Sequence, residues 1–259
     1  MQLDGLAGHG ALVTGAGSSV GRVIAERLAA AGARVHIADV NADFLDRTLR
    51  EVPVLSGSIC DLGRPTQVTS LFTDALIRLQ QVDFLINCVG IPGPFALLED
   101  VDPAAWRQTF DVNVHGIFET MRLAVPGMKT RRFGAIVNFS SASTKPGMQQ
   151  RTPYIASKAA VEALTRTAAR ELGGHNVRCN AILPGAINNE RYNGIVERYA
   201  KERGISFDVM EAEALRHVSM HTRIEPAELA DMVLYLCSDS GRHITGQLVE
   251  VSGNLEWEE

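Results

Sequence analysis

The chain has 259 residues, 46% of them hydrophobic and 21% charged, enough to bury one sizeable core. Its formal charge of -5 and the lack of any Lys/Arg block argue against a general nucleic-acid binder. Met1 to Gly8 has neither a basic start nor an apolar signal core, and no run of about 18 apolar residues occurs, so the expectation is a soluble, cytoplasmic protein without membrane contact.

In chain order, β-branched apolar runs predict strands at Gly10 to Thr14, Arg34 to Ala38, Val52 to Leu55, Asp83 to Asn87, Gly134 to Phe139, Val177 to Leu183 and Gln247 to Val251. Helical spacing predicts helices over Val20 to Ala31, Pro65 to Leu79, Pro103 to Met128, Tyr154 to Leu172 and Pro226 to Leu236. This alternation implies an α/β fold: a single Rossmann-type, doubly wound domain over residues 1–259, with about seven parallel strands flanked by helices. Ala186 to Thr222 breaks the rhythm with a long, charged stretch, which reads as a substrate lid.

The first strand runs into Thr14-Gly15-Ala16-Gly17-Ser18-Ser19-Val20-Gly21 and then a helix. Small residues at such a turn let the backbone approach a pyrophosphate, and the helix N-terminus favours its charge. The spacing departs from GxGxxG, because Val20 stands where the last glycine would be. Asp39, eighteen positions after Gly21, ends the second strand. There a carboxylate either accepts hydrogen bonds from a ribose diol or caps a helix over Ala42 to Arg50. It would repel a 2′-phosphate, and neither Val40 nor Asn41 supplies a cation, so NAD(H) is favoured over NADP(H).

Ser141 precedes Tyr154 by thirteen positions, and Lys158 lies one helical turn beyond Tyr154. A free phenol titrates near about 10 and is a poor base at neutrality unless a cation stabilises its phenolate. Lys158 is placed to be that cation, with Ser141 to hydrogen-bond the reacting oxygen; Ser140 and Ser143 are nearby alternatives. Lys145, Gln149, Gln150 and Arg151, together with Asn188, Glu190, Arg191, Tyr192, Arg198 and Arg216 of the lid, suggest a polar substrate, with Lys145 or Arg151 as partner for a carboxylate or sulfonate. Cys60, Cys88, Cys179 and Cys237 form no CxxC pair and read as reduced thiols. His217 and His221 have an i,i+4 spacing but lack the HExxH glutamate, so no metal is expected.

Taken together, these motifs resemble those of the short-chain dehydrogenase/reductase family of the TGxxxGxG and YxxxK type, in the expected order along nearly the whole chain. The resemblance implies Asn113, Ser141, Tyr154 and Lys158 as catalytic residues. It implies cofactor contacts from Gly15, Ser18, Ser19, Val20, Gly21, Asp39, Asp61, Leu62, Asn87, Val89, Gly90, Tyr154, Lys158, Pro184, Gly185, Ile187 and Asn189. It further implies that Tyr154 is the general base or acid, that Asn113 holds a water linking the lysine to solvent, and that the protein is a homotetramer. Ser19 replaces the middle glycine of the loop, Cys88 and Val89 replace Asn and Ala, and Asn189 stands where Thr is frequent. The expected activity is NAD(H)-dependent interconversion of a secondary alcohol and a ketone on a small polar metabolite such as a sugar, polyol or hydroxy acid. The alternatives are a 3-oxoacyl thioester reductase using NADPH and a non-catalytic dinucleotide-binding regulator or scaffold. Trp257, on the acidic tail, either packs at a subunit boundary or frays.

Overall fold

A computed structural model describes residues 3–256; the tail with Trp257 lies outside the described residues. Seven parallel strands form one sheet: β1 (Gly10–Thr14), β2 (Arg34–Asp39), β3 (Ser56–Ile59), β4 (Phe84–Asn87), β5 (Gly134–Phe139), β6 (Val177–Pro184) and β7 (Leu248–Val251). Their order is β3-β2-β1-β4-β5-β6-β7. The chain therefore reverses its winding between β1 and β4, and a crevice opens beyond the carboxyl ends of those strands.

Helices cover both faces. On one side α1 (Ser19–Ala30) packs against α9 (Pro226–Cys237), and Ile24, Leu28, Leu229 and Val233 meet Val13, Phe84 and Val137 of the sheet in one buried cluster. On the other side α3 (Pro65–Leu79), α5 (Gly116–Arg131) and α6 (Thr152–Leu172) close over Leu12, Leu85 and Ile136. Starts are set by local chemistry. Pro65 and Pro226 occupy the first turns of α3 and α9, where a missing N–H is harmless, and Glu225 and Glu228 form a capping box on α9.

Two expected elements are corrected. The strand expected at Val52 to Leu55 lies at Ser56–Ile59 instead. α2 (Ala42–Glu51) runs up to this point, Pro53 cannot donate to a ladder, and Val54 is exposed. β3 is an edge strand, paired only with β2, and its Ser56 and Ser58 hydroxyls both bond the buried His36 ring at 2.8 and 3.0 Å. The single helix expected over Pro103 to Met128 is α4 (Pro103–Phe110), a π-helical turn (Asp111–His115) and α5. The stretch read as a substrate lid, Ala186 to Thr222, holds α7 (Glu190–Arg203), capped by Asn189, and α8 (Phe207–Leu215), capped by Ser206.

Candidate active site

The glycine-rich turn lies over the crevice and joins β1 to α1. At Gly21 a Cβ would stand 2.2 Å from the Gly15 carbonyl oxygen and 2.8 Å from Ala16 Cα, so only glycine lets the turn fold this tightly against the helix. Ser19 sits at φ 50°, the left-handed region, in the position where the resembling motif has glycine. That conformation costs a side chain about 1–2 kcal/mol. Asp39 closes the turn from β2: its Oδ2 accepts from Gly17 N at 2.8 Å and its Oδ1 from Asn41 N at 2.9 Å. Asn41, not Asp39, caps α2, through Phe44 N. Each Asp39 oxygen keeps a further lone pair for a diol.

Across the switch point, β5 delivers Ser140 and Ser141, and α6 delivers Tyr154 and Lys158. Lys158 is 3% exposed; its Nζ donates to the Phe139 carbonyl at 2.8 Å and lies 5.9 Å from the centre of the Tyr154 ring. Burial, reinforced by the like charge of Arg191, lowers its pKa to about 8. Ser141 Oγ lies 2.6 Å from Ser143 Oγ, so the two hydroxyls share one hydrogen bond. Ser140 is occupied elsewhere, donating toward Lys158 O at 3.1 Å and Glu162 Oε1 at 2.8 Å. Among the three serines, Ser140 thus supports the helix, while Ser141 and Ser143 form a pair that lines the same cleft as Tyr154 and Lys158.

The segment 186–222 spans the crevice and touches both of its walls. Asn189 Nδ2 donates to Ser19 Oγ at 3.1 Å, and Arg191 Nη2 donates to the Gly90 carbonyl at 2.8 Å. Turn, serines, Tyr154, Lys158 and this segment together line one cleft of about 1730 Å3. Every cofactor residue expected above lines it except Asn87, and so do Ser141, Tyr154 and Lys158.

Asn87 is fully buried beneath the sheet end, donating to Asn138 Oδ1 at 2.9 Å and accepting from Thr120 Oγ1 at 2.8 Å. It supports the cleft floor and does not reach the cleft. Asn113 is buried in the π-helical turn; its side chain accepts from Ile91 N at 2.8 Å and donates to Ile91 O and Ser157 Oγ, both at 3.0 Å. Its side chain pins the loop after β4. Asp61 uses its carboxylate on its own turn, accepting from Gly63 N at 2.9 Å and pairing with Arg64 at 3.2 Å. Lys145 is paired with Glu250 at 2.7 Å. Gly17 as the partner of Asp39 and Phe95 as the platform under Arg151 were not anticipated, because each pairs segments far apart in sequence. Among the described residues no group of His, Cys, Asp and Glu is arranged to hold a metal ion, and no helix is long and apolar enough to cross a membrane.

This architecture recurs in known proteins. A family model described as enoyl-(acyl carrier protein) reductase matches residues 15–254. The chain is 31% identical over 257 residues to 7alpha-hydroxysteroid dehydrogenase of Escherichia coli (strain K12), covering 98% of this chain and 95% of that one. In solved structures, actinorhodin polyketide ketoreductase with NADPH superposes with a TM-score of 0.91 at 29% identity, covering 97% of this chain and 98% of that chain. NAD+-bound xylitol dehydrogenase gives a TM-score of 0.89 at 29% identity, covering 96% and 99%. With the glycine turn, the serine, the tyrosine and the lysine assembled in one cleft of a seven-stranded doubly wound sheet, the chain belongs to the short-chain dehydrogenase/reductase family of oxidoreductases.

Proposed function

We propose that this protein is an NAD(H)-dependent oxidoreductase that interconverts a secondary alcohol and a ketone on a small polar metabolite. The observation that carries the reading is the buried Lys158 ammonium beside Tyr154, at one end of a cleft whose other end is closed by the Asp39 carboxylate. The tight turn at Gly21 and the free N–H groups at the start of α1 fit a pyrophosphate, and the Asp39 oxygens fit a ribose diol. When bound, the nicotinamide ring accepts the hydride from an alcohol carbon or returns it to a carbonyl carbon.

The chain's own residues handle the proton and the oxygen. Tyr154 takes the hydroxyl proton as the alcohol becomes a ketone and gives it back in the reverse direction. Lys158 supplies positive charge that stabilises the phenolate left by that transfer. Ser141, oriented by Ser143, donates to the substrate oxygen where negative charge develops.

The preference for NAD(H) rests on Asp39, which repels a 2′-phosphate. Two arginines at that end of the cleft are engaged elsewhere: Arg22 pairs with Glu26 and Glu51, each at 2.7 Å, and Arg47 lies over the Phe44 ring. The polyol substrate named for the NAD+-bound xylitol dehydrogenase supports a polar metabolite. The NADPH-bound polyketide ketoreductase favours the second reading, a 3-oxoacyl thioester reductase. Nicotinamide fluorescence titrations decide between them: NADH binds in preference to NADPH, and Asp39→Ala erases that preference. NADPH preference overturns the assignment, and tight NADH binding without turnover on any alcohol or ketone favours a non-catalytic regulator. We extend the reading to a cytoplasmic homotetramer, supported by four free cysteines and an exposed Phe118 on α5; light scattering tests the assembly.

A further inference from the structure

Four cations on the elements around the substrate end of the cleft are paired with a carboxylate, and Arg191 and Arg216, which line it without an ion pair among the described residues, are exposed. Lys145 pairs with Glu250, Arg198 with Glu202, Arg203 with Glu213 and Arg223 with Glu211. Arg151 differs from these. It is 6% exposed, yet among the described residues no carboxylate lies within ion-pair reach of it. Its hydrogen bond goes to the neutral Pro92 carbonyl at 3.1 Å, and its guanidinium lies over two aromatic rings, 4.2 Å from the centre of Phe95 and 4.5 Å from that of Tyr154. The charged arginines that act on it, Arg191 and Arg198, are also positive. Arg151 further stands at the N-cap of α6, where the helix dipole adds to the positive potential.

A buried guanidinium without a counter-ion is costly, so its persistence at a binding cleft points to an anion supplied by the ligand. Its neighbour strengthens the case. Gln150 is held in the left-handed region at φ 60°, and its Oε1 is buried with no donor, as the Tyr192 hydroxyl is buried with no partner; both line the same cleft. Strain and unmet polar groups in the cleft that holds Tyr154 fit a site completed by a ligand.

We propose that the substrate carries a terminal carboxylate, received by Arg151: a hydroxy or oxo acid, not a neutral polyol. The identity of the reacting carbonyl rests on the oxidoreductase reading, but the anion contact does not. The Phe95 and Tyr154 rings hold the guanidinium plane, so its free N–H groups approach the acid as a fork. The same plane places the anion beside the tyrosine that handles the proton.

The test uses the full-length protein with three oxo-acid probes, acetoacetate, levulinate and 2-oxobutyrate, each beside its neutral methyl ester. Binding is read by ligand-induced shift of the melting temperature and by calorimetry, with and without NADH. The expected result is an acid bound about tenfold or more tighter than its ester, a preference lost in Arg151→Gln and partly kept in Arg151→Lys, with ester binding unchanged. A purely structural Arg151 would weaken acid and ester alike. Equal binding of acid and ester in every pair, absence of acid binding, or a preference that survives Arg151→Gln overturns the proposal. Tyr154→Phe separates the two readings: it removes turnover and keeps the acid preference. Turnover confined to neutral ketones sinks the anion proposal alone, whereas acid preference without any turnover sinks the oxidoreductase reading alone.

Discussion

Replacing Gly90 by alanine separates the positioning of Lys158 from the binding of the dinucleotide. A Cβ at residue 90 would stand 2.9 Å from Lys158 Nζ, 3.4 Å from its Cε and 3.5 Å from Asn113 Oδ1. Nonbonded heavy atoms pack without repulsion at about 3.5 Å, so the ammonium has to retreat by about 0.6 Å. Its bond to the Phe139 carbonyl, 2.8 Å long, then stretches beyond ordinary hydrogen-bond length. Weakening a buried hydrogen bond to a charged group costs about 1–3 kcal/mol. The obstacle is the mobile end of a side chain, so the fold survives. Proton transfer is less tolerant, because a displacement of about 1 Å costs about 100-fold in rate, and kcat/KM should fall by about 30- to 100-fold.

Gly21→Ala is the informative counterpart. There the added Cβ meets the Gly15 carbonyl and Ala16 Cα, both backbone, and the turn itself has to open. Nicotinamide fluorescence gives Kd for NADH, steady-state ketone reduction gives kcat/KM, and melting curves give stability. Gly90→Ala should lose turnover by more than NADH affinity, whereas Gly21→Ala should lose NADH binding first. Wild-type turnover in Gly90→Ala, or equal losses of NADH affinity in both variants, would refute the reasoning.

Three further outcomes follow from the same geometry. Lys158 titrates near about 8, so the ammonium is lost above that pH and kcat/KM for ketone reduction should fall as pH rises through it; Arg191→Met removes a like charge and should move that limb upward, and a fixed limb would exclude the coupling. Burial lowers His36 to about 4, so between its unfolded value of about 6.5 and about 4 the unfolded chain binds a proton that the folded one refuses. Stability should therefore drop by up to about 3 kcal/mol as pH falls through that window, and His36→Gln should flatten the curve in acid melts; an unchanged slope would show that other groups set it. Asn189→Ala removes both the cap of α7 and the bridge to Ser19, so melting should report a loss of about 1–2 kcal/mol and stopped-flow a faster release of NADH, whereas Asn189→Ser keeps the cap and loses only the bridge. Unaltered release in both variants would remove the lid from cofactor retention.

What could be read from the sequence was set by how far apart the determinants lie. β1, β5 and α3 appear at the expected residues because their cues are local: apolar β-branched runs bounded by glycine, and a proline in the first helical turn. β3 was misplaced because an edge strand of sequence SGSI carries almost no apolar signal, and His36 on its neighbour, not hydrophobicity, holds it in register. The π-helical turn hides inside a helical pattern, since one extra residue barely disturbs the periodicity, yet it is what turns Asn113 toward Ile91 and Ser157. α7 and α8 are not legible in the sequence although Asn189 and Ser206 are ordinary caps, because a short amphipathic pattern with charges on every side resembles a loop.

The same distinction separates the chemistry of the cleft from its selectivity. Ser141, Tyr154 and Lys158 sit at the end of one strand and in the opening turns of the helix that follows it, so their spacing alone brings them together. The proposed determinants of what binds are set by tertiary packing: Phe95 under Arg151, Ser19 against Asn189, Gly90 against Arg191. Spacing does not distinguish Lys145 from Arg151 as an anion partner; packing does, because Glu250 lies against one, whereas the other meets aromatic faces, a neutral carbonyl and like charges. On the proposed reading, this fold can retain its proton-transfer centre while the ligand changes, because the residues assigned to choose the ligand are held by contacts that leave the spacing of Ser141, Tyr154 and Lys158 untouched.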